Sequence, residues 1–75
     1  MDYTKITKRK LRTLAKGAVV ELGINGKYQL GYFDRTDSKN IYMGDKRDRA
    51  DVNNQITGLK RYELKNVKNI WVYYF

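Results

Sequence analysis

From Ala18 onward, apolar and polar residues alternate along the chain in the two-residue period of half-buried strands. Val20, Leu22 and Ile24 mark the first strand. Asn25-Gly26 follows, two residues that accept the positive φ of a type I′ hairpin turn, so Lys27–Phe33 should fold back as the second strand. The polar stretch 34–39 predicts a turn and Asn40–Met43 a third strand. Residues 44–54 are charged and aperiodic, which predicts a loop. Ile56–Leu64 reads as a fourth strand with a bend or bulge at Gly58. A turn over 65–69 then leads to a last strand, Ile70–Phe75, that is apolar or aromatic on both faces.

Residues 1–17 carry a different period. Leu11, Leu14, Ala15 and Ala18 fall at i, i+3, i+4 and i+7, Thr4 or Asp2 can cap the segment, and Gly17 can stop it. This pattern predicts an α-helix over 1–17. Lys5, Lys8, Arg9, Arg12 and Lys16 share helical spacing, so the helix would carry a basic ridge. One helix before five short strands predicts a mainly β fold, a single domain over 1–75. The helix would precede a strongly bent antiparallel barrel of SH3-like or Sm-like type over 18–75, an OB-fold being the less favoured choice.

The chain has 75 residues and neither cysteine nor histidine. A domain of that size buries only about 60% of its unfolded surface, and disulfides or the usual zinc sites cannot supplement it. Self-association is the remaining supplement, and the aromatic last strand supplies a motive, because such a strand left at a sheet edge aggregates. No apolar run reaches the length of a membrane span and the N-terminus lacks a signal-peptide block, so a cytoplasmic protein is expected.

Sixteen Lys and Arg against eight Asp and Glu give a net charge of +8, and +5 of it lies in residues 1–17. Such an asymmetric positive field attracts polyanions, since each neutralised phosphate releases condensed counterions. Catalysis is not expected. Without His or Cys, acid–base work near neutrality needs a strongly shifted carboxylate or lysine. Glu21 and Glu63 are the only glutamates. Asp45, Asp48 and Asp51 recur every three residues, but Lys46, Arg47 and Arg49 among them would neutralise a cation site. No cofactor motif is present, and the glycines are scattered singly.

The stretch from Asn25 to Met43 resembles the first motif of the Sm/LSm-like family, its bacterial Hfq-type members included. Gly26, Gly31 and Asp37 match the family's spacing, Asn40 comes one residue early, and Lys39 stands where the family has a large residue. Leu64-Lys65-Asn66 is similar to the second motif, with Asn66 standing for a glycine in left-handed conformation, and Asn69-Ile70-Trp71-Val72-Tyr73 resembles the family's final strand. The resemblance implies an RNA-binding ring of five to seven subunits, each pairing its fourth strand with the fifth strand of its neighbour. It also implies a base pocket made of Asp37, Lys39 and Asn40 from one loop and Lys65 with Asn66 from another. Single-stranded RNA or DNA would bind there, with Lys5, Lys8, Arg9, Arg12 and Lys16 holding phosphates. For Asp37 and Asn40 the competing expectation is ordinary turn chemistry, side chains bonding their own backbone. For the whole chain it is a monomeric SH3-like barrel that binds duplex DNA or a protein partner.

Overall fold

Asn25 and Gly26 turn the chain at φ 51° and 79°, both in the left-handed region that a type I′ hairpin requires. They join β2 (Val19–Ile24) to β3 (Lys27–Thr36), with Ile24 opposite Lys27 and Val19 opposite Tyr32. The computed structural model describes residues 2–48 and 55–74. The loop predicted over 44–54 therefore falls partly, and Arg49, Asp51 and Phe75 wholly, outside the described residues. Before β2 lie β1 (Asp2–Ile6) and a 3₁₀ turn (Arg9–Thr13). After β3 come β4 (Asn40–Gly44), β5 (Lys46–Arg47), β6 (Ile56–Thr57) and β7 (Lys60–Glu63). A second 3₁₀ turn (Leu64–Asn66) then leads into β8 (Val67–Tyr74). Six strands form one antiparallel sheet in the order β1-β8-β2-β3-β4-β7, and β5 pairs with β6 beside it.

The N-terminal α-helix is not formed. Residues 2–6 are a strand paired with β8, Asp2 opposite Tyr74 through Ile6 opposite Ile70. Tyr3, Thr4 and Ile6 are good strand formers, and a long-range partner with an open ladder outweighs a weak helical propensity. The apolar stripe read at helical spacing serves another end. Leu11 is fully buried and Leu14 packs against the same core. One 3₁₀ turn suffices to aim Leu11 inward, and Leu14 already has extended backbone (φ −75°, ψ 136°). Gly17 has φ 94° and ends no helix. Its N–H instead donates to the Phe33 carbonyl at 2.7 Å, and Phe33 N–H donates to Ala18 at 2.8 Å.

The last strand is also not an edge. β8 lies between β1 and β2, with Val72 opposite Thr4 on one side and Val20 on the other. The need for a neighbouring subunit to cover it is met inside the chain. The edges left are β1 and β7, and both carry charged residues, a common device against edge-to-edge pairing. The strand predicted over 56–64 breaks at Gly58, φ 69°, into β6 and β7.

The core sits on one face of the sheet. Leu11, Val20, Leu22, Phe33, Ile41, Met43, Val67, Ile70 and Val72 form one buried cluster. Strand alternation places Val20 and Leu22 inward and sends Val19, Glu21 and Gly23 to the other face. Register shifts between Phe33 and Arg35 and between Gly23 and Ile24 disrupt the ladder locally and bend the strands, as bulges do. β6 crosses β4 so closely at Gly44 that a Cβ there would lie 2.3 Å from the Thr57 carbonyl oxygen.

Candidate nucleic-acid interface

The first 3₁₀ turn, the β3–β4 turn and the second 3₁₀ turn meet at one end of the sheet. They enclose a cleft of about 480 Å³ lined by Lys8, Arg9, Arg12, Thr36, Asp37, Ser38, Leu64 and Lys65. A second hollow of about 540 Å³ shares Ser38, Leu64 and Lys65 with it and adds Lys39, Asn40, Arg61 and Glu63. Residues predicted as a phosphate-holding ridge (Lys8, Arg9, Arg12) and residues predicted as a base pocket (Asp37, Lys39, Asn40, Lys65) thus line adjoining walls. Leu64 N–H donates to the Lys39 carbonyl at 2.8 Å, which fixes one loop against the other.

Three predicted residues lie elsewhere. Lys5 is on β1, opposite Trp71. Lys16 reaches Asp34 at 3.5 Å, the same carboxylate that Arg35 contacts. Asn66 is exposed and lines neither hollow, and its φ is not positive, so it does not take the left-handed conformation the second-motif resemblance implies. A continuous basic ridge therefore does not exist. Its members are divided among a strand, a 3₁₀ turn and a loop.

Asp37 performs turn chemistry. Its Oδ1 accepts from the backbone N–H of Lys39 (2.8 Å) and of Asn40 (2.7 Å). Its own N–H donates to the Asn40 carbonyl at 3.0 Å, which also accepts from Thr36 Oγ1 at 2.9 Å. Those backbone hydrogen bonds, from Lys39 first and then Asn40, hold the carboxyl below its ordinary pKa. The Tyr42 hydroxyl, 3.4 Å from Oδ2, adds to the effect. Asp37 thus shapes the loop that carries Lys39 and Asn40. Tyr42 lines neither hollow, and the Arg35 guanidinium lies 4.2 Å over its ring.

Charge in the two hollows is strongly one-sided. Lys8, Arg9, Arg12, Lys39, Arg61 and Lys65 face only Asp37 and Glu63. Glu63 sits 3.2 Å from Lys65 in an exposed pair, worth at most about 1 kcal/mol. Among the described residues Lys8, Arg9 and Arg12 have no carboxylate within ion-pairing distance.

The chain matches no family model, no curated protein and no solved structure. The likeness to Sm-like proteins therefore stays a matter of the spacing of Gly26, Gly31 and Asp37, and the missing helix counts against it.

Arg61 is the lining cation that sequence reasoning missed. Its signal was present, an Arg flanked by Lys60 and Tyr62 on a predicted strand, but only the pairing of Tyr42 with Arg61 carries it to the β4 side of the hollow. Among the described residues no three carboxylates gather as a metal site would require, and no helix is long and apolar enough to cross a membrane.

Proposed function

We propose that this protein is a non-catalytic nucleic-acid-binding module whose basic cleft holds backbone phosphates. The observation that carries this is the convergence of Lys8, Arg9, Arg12, Lys39, Arg61 and Lys65 on two adjoining hollows with little acidic compensation. Arg forks and Lys ammonium groups so placed suit phosphate oxygens. The cleft carboxylate Asp37 has its Oδ1 engaged by two backbone N–H groups and a lowered pKa, which makes it a poor general base. Asn40, beside the cations, is the residue able to read a base edge with paired donor and acceptor.

The binding unit is a single chain. β1 supports this because it covers the β8 edge that ring assembly of the Sm-like kind would use.

Titration of a labelled 12-residue oligonucleotide at several salt concentrations tests the proposal. Log affinity should fall against log salt with a slope of magnitude about 0.7 for each single-strand phosphate neutralised. Substituting both Arg9 and Arg12 by Ala should flatten that slope. Binding that is absent, or insensitive to salt, would refute it.

A further inference from the structure

The sheet face opposite the core carries aromatic residues in register across four strands. One row runs Tyr3, Tyr73, Val19, Tyr32 and the next runs Lys5, Trp71, Glu21, Leu30. In a third, Gly23 stands opposite both Asn69 and Tyr28 and puts no side chain between them. Tyr28 and Trp71, on strands separated by β2, bring their ring centroids to 5.8 Å, and Tyr3 and Tyr73 stand at 5.7 Å. Tyr3, Tyr28 and Leu30 remain 65%, 64% and 64% exposed. Among the described residues the Arg47 guanidinium lies 5.4 Å over the Tyr32 ring at one side of this face, while Tyr3, Tyr28 and Leu30 stay open.

We propose that this aromatic face is a stacking platform for the bases of a single strand, so that the protein prefers single-stranded nucleic acid to duplex. The inference rests on the nucleic-acid reading of the basic cleft and adds the feature that cleft lacks. Phosphate contacts are indifferent to strandedness, whereas exposed rings can stack only on bases that are free of their complement.

Charge decides between a base and the other occupant such a face could have, a second copy of this chain. Each copy carries +8, so face-to-face association would oppose two strongly positive bodies. Lys5 stands at the β1 edge of the face beside Trp71, placed for a phosphate of a strand whose bases stack on the rings. The carboxylate on these rows, Glu21, accepts a hydrogen bond from the Tyr73 hydroxyl at 2.9 Å. That bond engages the acid with a ring of the same face. β1 carries Lys5 on this face and runs directly into Lys8 and Arg9 of the cleft, so the platform and the cleft adjoin along the sequence.

Trp71 is the single tryptophan, which makes the test direct. Its fluorescence is followed while wild type, the Tyr3→Ala/Tyr28→Ala variant and the Arg9→Ala/Arg12→Ala variant are titrated with 12-residue oligo(U), oligo(dT) or a 12-base-pair duplex. Both tyrosines are largely exposed, so their removal should leave the fold intact, which circular dichroism checks. We expect oligo(U) and oligo(dT) to quench Trp71 and the duplex to leave it unchanged. The tyrosine variant should lose about 5- to 140-fold in single-strand affinity for each stacked base forfeited, with duplex affinity unaltered. Single strands that bind without quenching Trp71, and bind the tyrosine variant as tightly as wild type, would overturn the platform while the cleft reading stood. A wild-type protein that self-associates through this face, and becomes monomeric on loss of Tyr3 and Tyr28, would overturn it in favour of the second copy. If wild type binds none of the three nucleic acids, the cleft reading and the platform fall together.

Discussion

Thr4 of β1 stands directly opposite Val72 of β8. This pairing makes an internal strand of the most aggregation-prone segment in the sequence, because the other side of β8 is taken by β2. A strand paired on both sides has no free row of N–H and C=O groups to offer another chain.

Removing residues 1–6 should therefore expose the β8 edge. The truncated chain is expected to self-associate or precipitate more than the full chain, as read by light scattering with size-exclusion chromatography. Adding a peptide of residues 1–7 should restore part of the monomer. A truncated chain as monomeric and as soluble as the full one would show that β1 gives β8 no protection.

Arg61 and Lys16 separate the cleft from the general positive charge. Arg61→Ala should weaken oligonucleotide binding and lower the magnitude of the salt slope by about 0.7 to 1, one phosphate contact. Lys16 is engaged with Asp34 outside both hollows, so Lys16→Ala should change affinity less than twofold. Asn40→Ala should instead shift the ranking of oligo(U) against oligo(C) at nearly constant salt slope. Equal losses for Arg61 and Lys16 would mean that net charge, and not the cleft, governs binding.

Asp37 should make the β3–β4 turn acid-sensitive. Its folded pKa lies below its ordinary value because the ionised carboxylate accepts the Lys39 and Asn40 N–H groups. A depressed folded pKa means stability that is present above the unfolded pKa of about 3.9 and lost as pH falls through the lower folded value. Thermal melts of wild type and Asp37→Asn should therefore differ at pH 7 and converge as pH falls through the lowered folded pKa. Asp37→Ala, which removes the acceptor altogether, should be the less stable variant at both ends of that range.

Gly44 and Gly23 should respond oppositely to a methyl group. At Gly44 the new Cβ would lie 2.3 Å from the Thr57 carbonyl oxygen and 2.4 Å from Ile56 Cγ2. Gly44→Ala should cost about 1–3 kcal/mol in urea denaturation, the range of overpacked cores. At Gly23 the nearest atoms, on Asn69, stand at 3.5 Å, and its φ is not in the left-handed region. Gly23→Ala should be tolerated. Equal stability of the two variants would mean that β4 and β6 are not in close contact.

Much of the β architecture was legible along the chain. Asn25-Gly26 specified its own turn, since both residues accept positive φ at little cost, and the alternation of Val20, Leu22 and Ile24 named the core face of β2. Gly58 marked its bend. The segment read as a helix shows where local pattern fails. Leu11, Leu14, Ala15 and Ala18 keep helical spacing, yet only Leu11 needs full burial, and a single 3₁₀ turn achieves that. Of the candidate site, the residue types were visible and their grouping was not. Arg61 went unnoticed because its place depends on a partner strand, and Asn66, the sequence neighbour of Lys65, lines neither hollow.

The sequence by itself determined β2, β3 and β4, the hairpin between β2 and β3 and the excess of positive charge. Each follows from the side chain's own preferences, from a period of two or from a sum over residues. It did not determine β5, which lies in the stretch read as a loop. Tertiary structure decided what β8 pairs with, whether residues 2–6 are strand or helix, and which cations share a cleft. These are contests between partners far apart in the chain. The ladder formed between β1 and β8 spans more than sixty positions of sequence, and its free energy appears in no local window.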